Sequence, residues 1–424
     1  MKWGGAPLSG GNEVELLKGG DALFPALCAA IRGARHEVWL ASYIVHTDEP
    51  SAAVLSALRG AAQRGLRVRV VVDGFGARHA LPWWQERLQG SGVALAVFRP
   101  LNRWWHWLQP GQLRRLHQKL CVVDGEIAFV GGINLIDDRF DLHHGPLEQA
   151  RLDFAVSVRG PLVGSVGQAV RRVWTRAWLG RDFGEELRDW LVAPALIERA
   201  RRWFGQLWER TRGAAGERVR LRALRQAAEA DERPMRAAFV LRDNLRHRHA
   251  IEREYLHALR GARQRFELIC PYFYPSARLL RALLQAARRG VRVRLLLQGR
   301  HDYRLAAWAA RVLYAEMLAR GVEIYEYHAA FLHAKVALAD GDWSTVGSSN
   351  LDPTSLLLNL EANVLVRDRS FNTQLAAAFE AALQGAAPVH AANAPQGLGA
   401  WLRRQAVAWL AQSYLRVAGG NEPY

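Results

Sequence analysis

Lysine is nearly missing from this chain. Of its 57 basic residues only Lys2, Lys18, Lys119 and Lys335 are lysine, and the rest are arginine. Cysteine is scarce as well: Cys28, Cys121 and Cys270 are three, odd in number and scattered. That argues against a disulfide framework or a cysteine metal site and is expected of buried thiols in a reducing compartment. No run of about 18 apolar residues occurs, so no transmembrane helix is expected. The opening MKWGGAPLSGGNEVELL lacks the apolar core of a signal peptide. Acidic residues number 40 against the 57 basic ones, a net charge of +17. Such an excess suits a polyanionic partner, either nucleic acid or an anionic membrane, and charge alone does not choose between them. With 50% hydrophobic residues over 424 positions, the chain is globular and long enough for two or three domains.

Two of the four lysines stand in two copies of one pattern. The first copy runs His117-x-Lys119, four residues, Asp124, six residues, Gly131, then Asn134. The second runs His333-x-Lys335, Asp340, Gly347 and Asn350 at the same spacings. A chain that otherwise uses arginine keeps lysine where a compact point charge on a flexible stem is needed, because the two cations are not interchangeable there. Decayed structural repeats would not retain all five residue types in both copies. The set reads as a phosphate site with a histidine poised for chemistry.

The copies lie in a larger duplication. Ala30–Arg35 (AIRGAR) returns as Ala258–Arg263 (ALRGAR), each followed by an apolar strand, at 38–45 and 266–273. Helical stretches at 57–65 and 282–290 end on glycine, as helix C-termini prefer, and lead into alternating strands at 66–74 and 291–299. A further helix and a strand opening at Gly92 or Gly321 follow. Strands alternating with helices predict an α/β fold with a mixed, largely parallel sheet in each half. The offset between halves is 229 at Gly92 and Gly321 but 216 at His117 and His333, so the first half holds 13 extra residues just before its motif. They carry Trp104, Trp105 and Trp107, which either cap the core or meet a membrane interface. The expected organisation is a first lobe over 1–160, a basic Trp-rich helical linker over 161–235, a second lobe over 236–385 and an amphipathic tail over 386–424. In the linker, RRVWTRAWL (171–179) and IERARRWFGQLWERTR (197–212) have amphipathic spacing, as does the tail segment 400–417. Each suits packing on the core or lying on anionic lipid.

Asp124-Gly125 and Asp340-Gly341 sit between apolar runs and predict two-residue hairpins. His117 and Lys119 then share one strand face, as do His333 and Lys335. The motif aspartates Asp124 and Asp340 belong to the catalytic pattern but are assigned a mainly structural part, holding the turn. Gly131, Gly132 and Gly347 are expected to let backbone approach a ligand. Lys119, Asn134, Lys335 and Asn350 are expected to bind phosphoryl oxygens. One histidine attacks phosphorus and the other moves protons. A neutral attacking histidine wants a carboxylate on its other nitrogen, and Asp153 and Glu361, each opening an apolar strand, are the candidates. No metal or other cofactor is required, and no Asp/Glu/His cluster suggests one.

These residues resemble the phospholipase D superfamily, and the stretches 117–135, 242–256, 290–299 and 331–364 are similar to bacterial cardiolipin synthases of the B type. The resemblance covers both lobes, about 13–160 and 236–385. It implies two lobes related by a pseudo-twofold axis with a single active site at their interface. It further implies phosphatidyl transfer from one phospholipid, such as phosphatidylglycerol, to the headgroup hydroxyl of a second, through a phosphatidyl-histidine. His117 would be the nucleophile and His333 the general acid and base. The partners implied are phospholipid substrates and an anionic phospholipid membrane, with the enzyme peripheral on the cytoplasmic face of the bacterial inner membrane and no nucleic acid. The alternative is a phosphodiesterase or nuclease using the same site on nucleic acid.

Overall fold

The structure is a computed structural model describing residues 6–100, 114–142, 144–190, 235–243, 247–300, 311 and 313–390, with backbone alone over 181–190. The first half contributes β1 (Ser9–Lys18), α1 (Gly19–Arg32), β2 (Glu37–Ser42), α2 (Glu49–Gln63), β3 (Arg67–Asp73), α3 (Leu81–Leu88), β4 (Ala94–Phe98), β5 (Lys119–Val123), β6 (Ile127–Gly131), the short pair β7 (Phe140–Asp141) and β8 (Gly145–Pro146), β9 (Phe154–Arg159) and α4 (Leu162–Trp190). The second contributes β10 (Met235–Arg242), α5 (Ala250–Gly261), β11 (Arg265–Cys270), α6 (Ala277–Arg288), β12 (Arg292–Gln298), β13 (Glu323–Tyr327), β14 (Val336–Ala339), β15 (Trp343–Gly347), β16 (Glu361–Arg367), α7 (Arg369–Leu383) and β17 (Ala386–Pro388).

The repeated segments form the elements their patterns predict. Asp48, Ser276 and Asp368 cap α2, α6 and α7 by accepting from Ser51, Leu279 and Phe371 N–H, contacts worth about 1 kcal/mol each. Gly65 and Gly290 follow α2 and α6 with φ of 84° and 88°, a left-handed turn that glycine adopts without a Cβ clash.

Both halves join one sheet of 15 strands in the order β17-β13-β12-β11-β14-β15-β16-β10-β1-β9-β6-β5-β2-β3-β4. The mixed α/β architecture is as expected, but its strands are not largely parallel. Among the described residues, parallel pairing between strands is confined to β2-β3-β4 and β11-β12-β13. Around them the motif hairpins and the strands at the seam pair antiparallel. The physical reason is the hairpin: a short Asp-Gly connection can only return antiparallel, and β5-β6 and β14-β15 occupy the middle of each half. The halves meet where β1 pairs with β10.

Three buried clusters fill the fold. One lies under α1 and α2 in the first half and one under α5 and α6 in the second. The third spans both halves, with Leu116 and Leu152 of the first beside Leu332 and Leu360 of the second. The start of the segment expected to be a linker belongs to this shared core. Within α4, Val163, Val166, Val170 and Trp174 are buried, and Trp174 donates from Nε1 to Ala94 O at 3.2 Å. Trp174 also meets Trp39 edge-on and stacks on Trp178 at 4.9 Å, so RRVWTRAWL lies on the sheet. Residues 197–212 and 400–417 lie outside the described residues, as do Trp104, Trp105 and Trp107. The three cysteines are buried and free.

Candidate active site

The histidines sit where strand-like segments cross the boundary between halves. His117 N–H donates to Leu360 O at 3.0 Å, and Leu360 N–H returns to Arg115 O at 2.8 Å. The second half repeats the contact: Leu152 N–H donates to Phe331 O and His333 N–H to Leu152 O, each at 2.9 Å. Each motif is therefore laid against the other half's carboxylate strand. His117 Nδ1 lies 3.0 Å from Glu361 Oε2, and His333 Nδ1 lies 2.7 Å from Asp153 Oδ2. A carboxylate on Nδ1 holds that nitrogen as the donor and leaves Nε2 to face a reactant.

The lysines follow their strand phase. Lys119 Nζ donates to His117 O at 2.7 Å and Lys335 Nζ to His333 O. Burial pulls Lys119 down to about 7, with Lys335 contributing, although Glu361 and Asp153 oppose it. Burial likewise lowers Lys335 to about 8. Both imidazoles are held below their ordinary value by burial, His333 well below, and His333 also feels Lys335, Arg151, Lys119 and His117. Burial raises Asp153 to about 7 against the pull of Lys335. Glu361 would rise through burial too, but His117, Lys119 and a hydrogen bond from Ser348 Oγ outweigh it and leave it lowered. These mutual effects make the two histidines, two lysines and two carboxylates one electrostatic unit.

The motif asparagines are buried beside this unit. Asn134 Oδ1 accepts from Ile44 N–H at 3.2 Å, which leaves its amide N–H2 to donate elsewhere. Asn350 Oδ1 is buried with no hydrogen-bond partner. The motif aspartates stand at the far ends of their strands and serve the turn. Asp124 accepts from Arg35, Glu37 and His36 N–H at 2.7 to 2.8 Å, and Asp340 accepts from Arg263, Gln264 and Arg265 N–H. Both have positive φ, 54° and 49°. The hairpins are one residue longer than expected. Pairing resumes at Val123 with Ile127 and at Ala339 with Trp343, so three residues make each connection.

The glycines serve a different purpose from the one expected. A Cβ on Gly131 would meet Ala155 at 2.5 Å, and one on Gly347 would meet Asn363. On Gly132 it would fall 2.4 Å from Asp153 Oδ1. These positions make room for neighbouring strands and for the Asp153 carboxylate rather than for a ligand. At the position matching Gly132 stands Ser348, whose hydroxyl donates to Glu361 Oε2. Tyr43, which no motif marks, lies beside the first histidine. Its ring centroid is 4.9 Å from that of His117, and Lys119 Nζ sits 5.3 Å from its centre. Its only sequence signal is its place directly after β2.

Two halves of one fold, joined in a continuous sheet and each setting a carboxylate against the other's histidine, are the architecture of a phospholipase D-like enzyme. The fold matches the crystal structure of phosphatidylserine synthase from Haemophilus influenzae Rd KW20 with a TM-score of 0.65 at 13% identity, over 98% of this chain and 96% of that one. The chain belongs to the cardiolipin synthase family with a phospholipase D-like domain, whose description "Cardiolipin synthase, PLD-like domain" matches residues 27–145 and 255–383. It is 39% identical to cardiolipin synthase B of Salmonella typhi over 365 residues, 86% of this chain and 79% of that protein. It is 37% identical to cardiolipin synthase B of Escherichia coli K12 over the same shares.

Proposed function

We propose that this chain is a phosphatidyltransferase that makes cardiolipin by two successive displacements at one phosphorus. The observation that carries the reading is the pair of crossed histidine–carboxylate contacts, His117 with Glu361 and His333 with Asp153. His117, held neutral by burial and fixed by Glu361, attacks the phosphorus of a phosphatidylglycerol-like donor through Nε2. The phosphorus–oxygen bond to glycerol breaks, and His333 gives the leaving oxygen its proton. That proton is at hand because Asp153, raised to about 7, keeps one within the Asp153–His333 pair near neutral pH. The acceptor's headgroup hydroxyl then loses its proton to His333 and attacks phosphorus, and the phosphorus–nitrogen bond breaks to restore His117. Lys119, Lys335, Asn134 and Asn350 stabilise the equatorial oxygens as charge builds.

The net charge of +17 supports attraction to an anionic bilayer surface, and no helix among the described residues is long and apolar enough to cross one. We place the enzyme as a peripheral protein on the cytoplasmic face of the inner membrane, with Trp104, Trp105 and Trp107 as candidate lipid contacts.

The deciding experiment is lipid mass spectrometry of phosphatidylglycerol vesicles incubated with wild type, His117→Ala and His333→Ala, beside a parallel incubation with single-stranded DNA. Wild type is expected to form diphosphatidylglycerol and leave the DNA intact, and each variant is expected to form none. Wild-type turnover by either variant, or cleavage of DNA in place of lipid, would overturn the reading.

A further inference from the structure

The two histidine–carboxylate pairs are built alike but not backed alike. Along the β10-β16 ladder Arg242 stands directly opposite Glu361. Side chains of residues opposed in an antiparallel pair lie on the same face of the sheet. In the first half the β1-β9 ladder reaches Lys18 opposite Phe154, and one step further Gly19 N–H donates to Asp153 O at 2.9 Å. The carboxylate that serves His117 is therefore matched by an arginine, and the one that serves His333 by a glycine.

Arg242 is 1% exposed, and its guanidinium is spent on main-chain carbonyls. Its Nε donates to Arg248 O at 3.3 Å and to Leu356 O at 3.2 Å, and its Nη1 donates to Asn359 O. Leu356 belongs to a single π-helical turn, Thr354–Leu358, that leads into β16. Carbonyls at the end of a helical turn lack an N–H partner ahead of them, and the arginine supplies one. The residues it fixes are those that meet the first motif. Asn359 Oδ1 accepts from Arg115 N–H at 3.3 Å, Leu360 exchanges backbone hydrogen bonds with Arg115 and His117, and Glu361 meets His117 Nδ1. Arg242 thus acts on His117 through this loop.

Its charge points the same way. Burial lowers Arg242 to about 10; Glu361 and then Asp243 oppose that, while Arg114 and Arg248 add to it. Its Nη2 is buried and makes no hydrogen bond. The other groups facing Glu361 are His117, Lys119, Lys335, Asp352 and the Ser348 hydroxyl. Against its own burial, Glu361 is kept ionised by His117 and Lys119, and a fixed cation on the adjoining strand works in the same direction. Asp153, raised by burial to about 7, receives no charge from Gly19. Arg151 acts on His333, but its own charge is met by Asp141 at 3.1 Å. An ionised acceptor on Nδ1 leaves the Nε2 lone pair free to attack, whereas a pair that retains a proton suits a leaving oxygen.

We infer that Arg242 is a positioning residue that gives the two histidines their different tasks, fixing Leu360 and Glu361 against His117 and setting a permanent positive charge behind that pair. The inference rests on the phosphatidyl-transfer reading and deepens it, naming what makes His117 rather than His333 the nucleophile.

The test follows glycerol release from phosphatidylglycerol vesicles by the full-length enzyme against pH, with mass spectrometry of rapidly quenched enzyme to locate the phosphatidyl group. In wild type that group is expected on His117. Arg242→Gln should lower kcat about tenfold, the size of a hydrogen bond from a charged group. Its acid limb, where the His117–Glu361 pair takes up a proton, should move up by about one pH unit. Arg242→Lys keeps the charge and loses the fork, so the limb should return to its wild-type place while kcat stays low. Asp243→Asn leaves Arg242 in place and removes an acid beside it, so the limb should move to lower pH. An unmoved limb in Asp243→Asn, or in a folded Arg242→Gln whose kcat has fallen, would make the arginine a structural anchor only and overturn the inference. So would a wild-type adduct on His333. Wild type that forms neither adduct nor diphosphatidylglycerol would instead remove the transfer reading beneath it.

Discussion

His333 of the second half takes its Nδ1 partner, Asp153, from the first, 2.7 Å away and 180 residues earlier in the chain. Asp153→Asn keeps the shape and removes the carboxylate charge. We expect kcat to fall at least 100-fold, a typical loss for general acid–base catalysis, with the thermal midpoint little changed. Phosphohistidine on His117 should still form slowly. A variant with near wild-type kcat would show that the pair is structural only.

The counterpart contact is tuned by Ser348, whose hydroxyl donates to Glu361. Ser348→Ala removes one stabiliser of the ionised carboxylate. The Glu361 pKa should rise and kcat should fall about tenfold, the size of one hydrogen bond to a charged group. Gly132→Ala acts on the other carboxylate by sterics, since its Cβ would lie 2.4 Å from Asp153 Oδ1. It should lower kcat more than KM. Steady-state kinetics of the two variants checks both expectations.

The pH profile follows from the raised carboxylate and the lowered lysines. Asp153 sits at about 7, Lys119 at about 7 and Lys335 at about 8, and the proposed glycerol departure needs a proton within the Asp153–His333 pair and charge on the lysines. As pH rises through 7 to 8 these protons leave, so turnover should decline on the alkaline side. His117 must be neutral to attack, and its lowered pKa puts the acid limb below the ordinary histidine range. Rates of glycerol release between about pH 5 and 9 test the sign. A rate that climbs above pH 8 would contradict this proton inventory.

Asp124→Ala should damage the fold rather than the chemistry. It leaves three backbone N–H groups, of Arg35, His36 and Glu37, without their acceptor. Loss of stability of about 2–4 kcal/mol is expected, read as a lower urea midpoint. Activity per folded molecule should stay within a fewfold of wild type.

Much of the site is written locally. The spacing of His117, Lys119 and Asn134 and its second copy mark the motif, and the Asp-Gly pairs mark the turns. Asp153 and Glu361 stand out as acids opening apolar strands. What local pattern does not encode is which strand lies beside which. The exchange of carboxylates between halves, the antiparallel majority of the sheet and the β1-β10 seam all depend on long-range pairing. The strands β1 and β10 also went unmarked, because the repeat signal begins only after them. Gly131 and Gly132 look the same in sequence whether a ligand or a strand approaches them. Only the neighbours Ala155 and Asp153 distinguish the two cases. Tyr43 has no motif partner, since its value lies in a ring that touches His117.

The exchange of carboxylates bears on ancestry. A solitary half would own an imidazole but not the acid that steers it, so an unduplicated forebear could work only as two copies facing each other. There, every substitution would have struck both copies at once. Fusion into one polypeptide lifts that restriction, so one side can carry Ser348 where the other keeps Gly132.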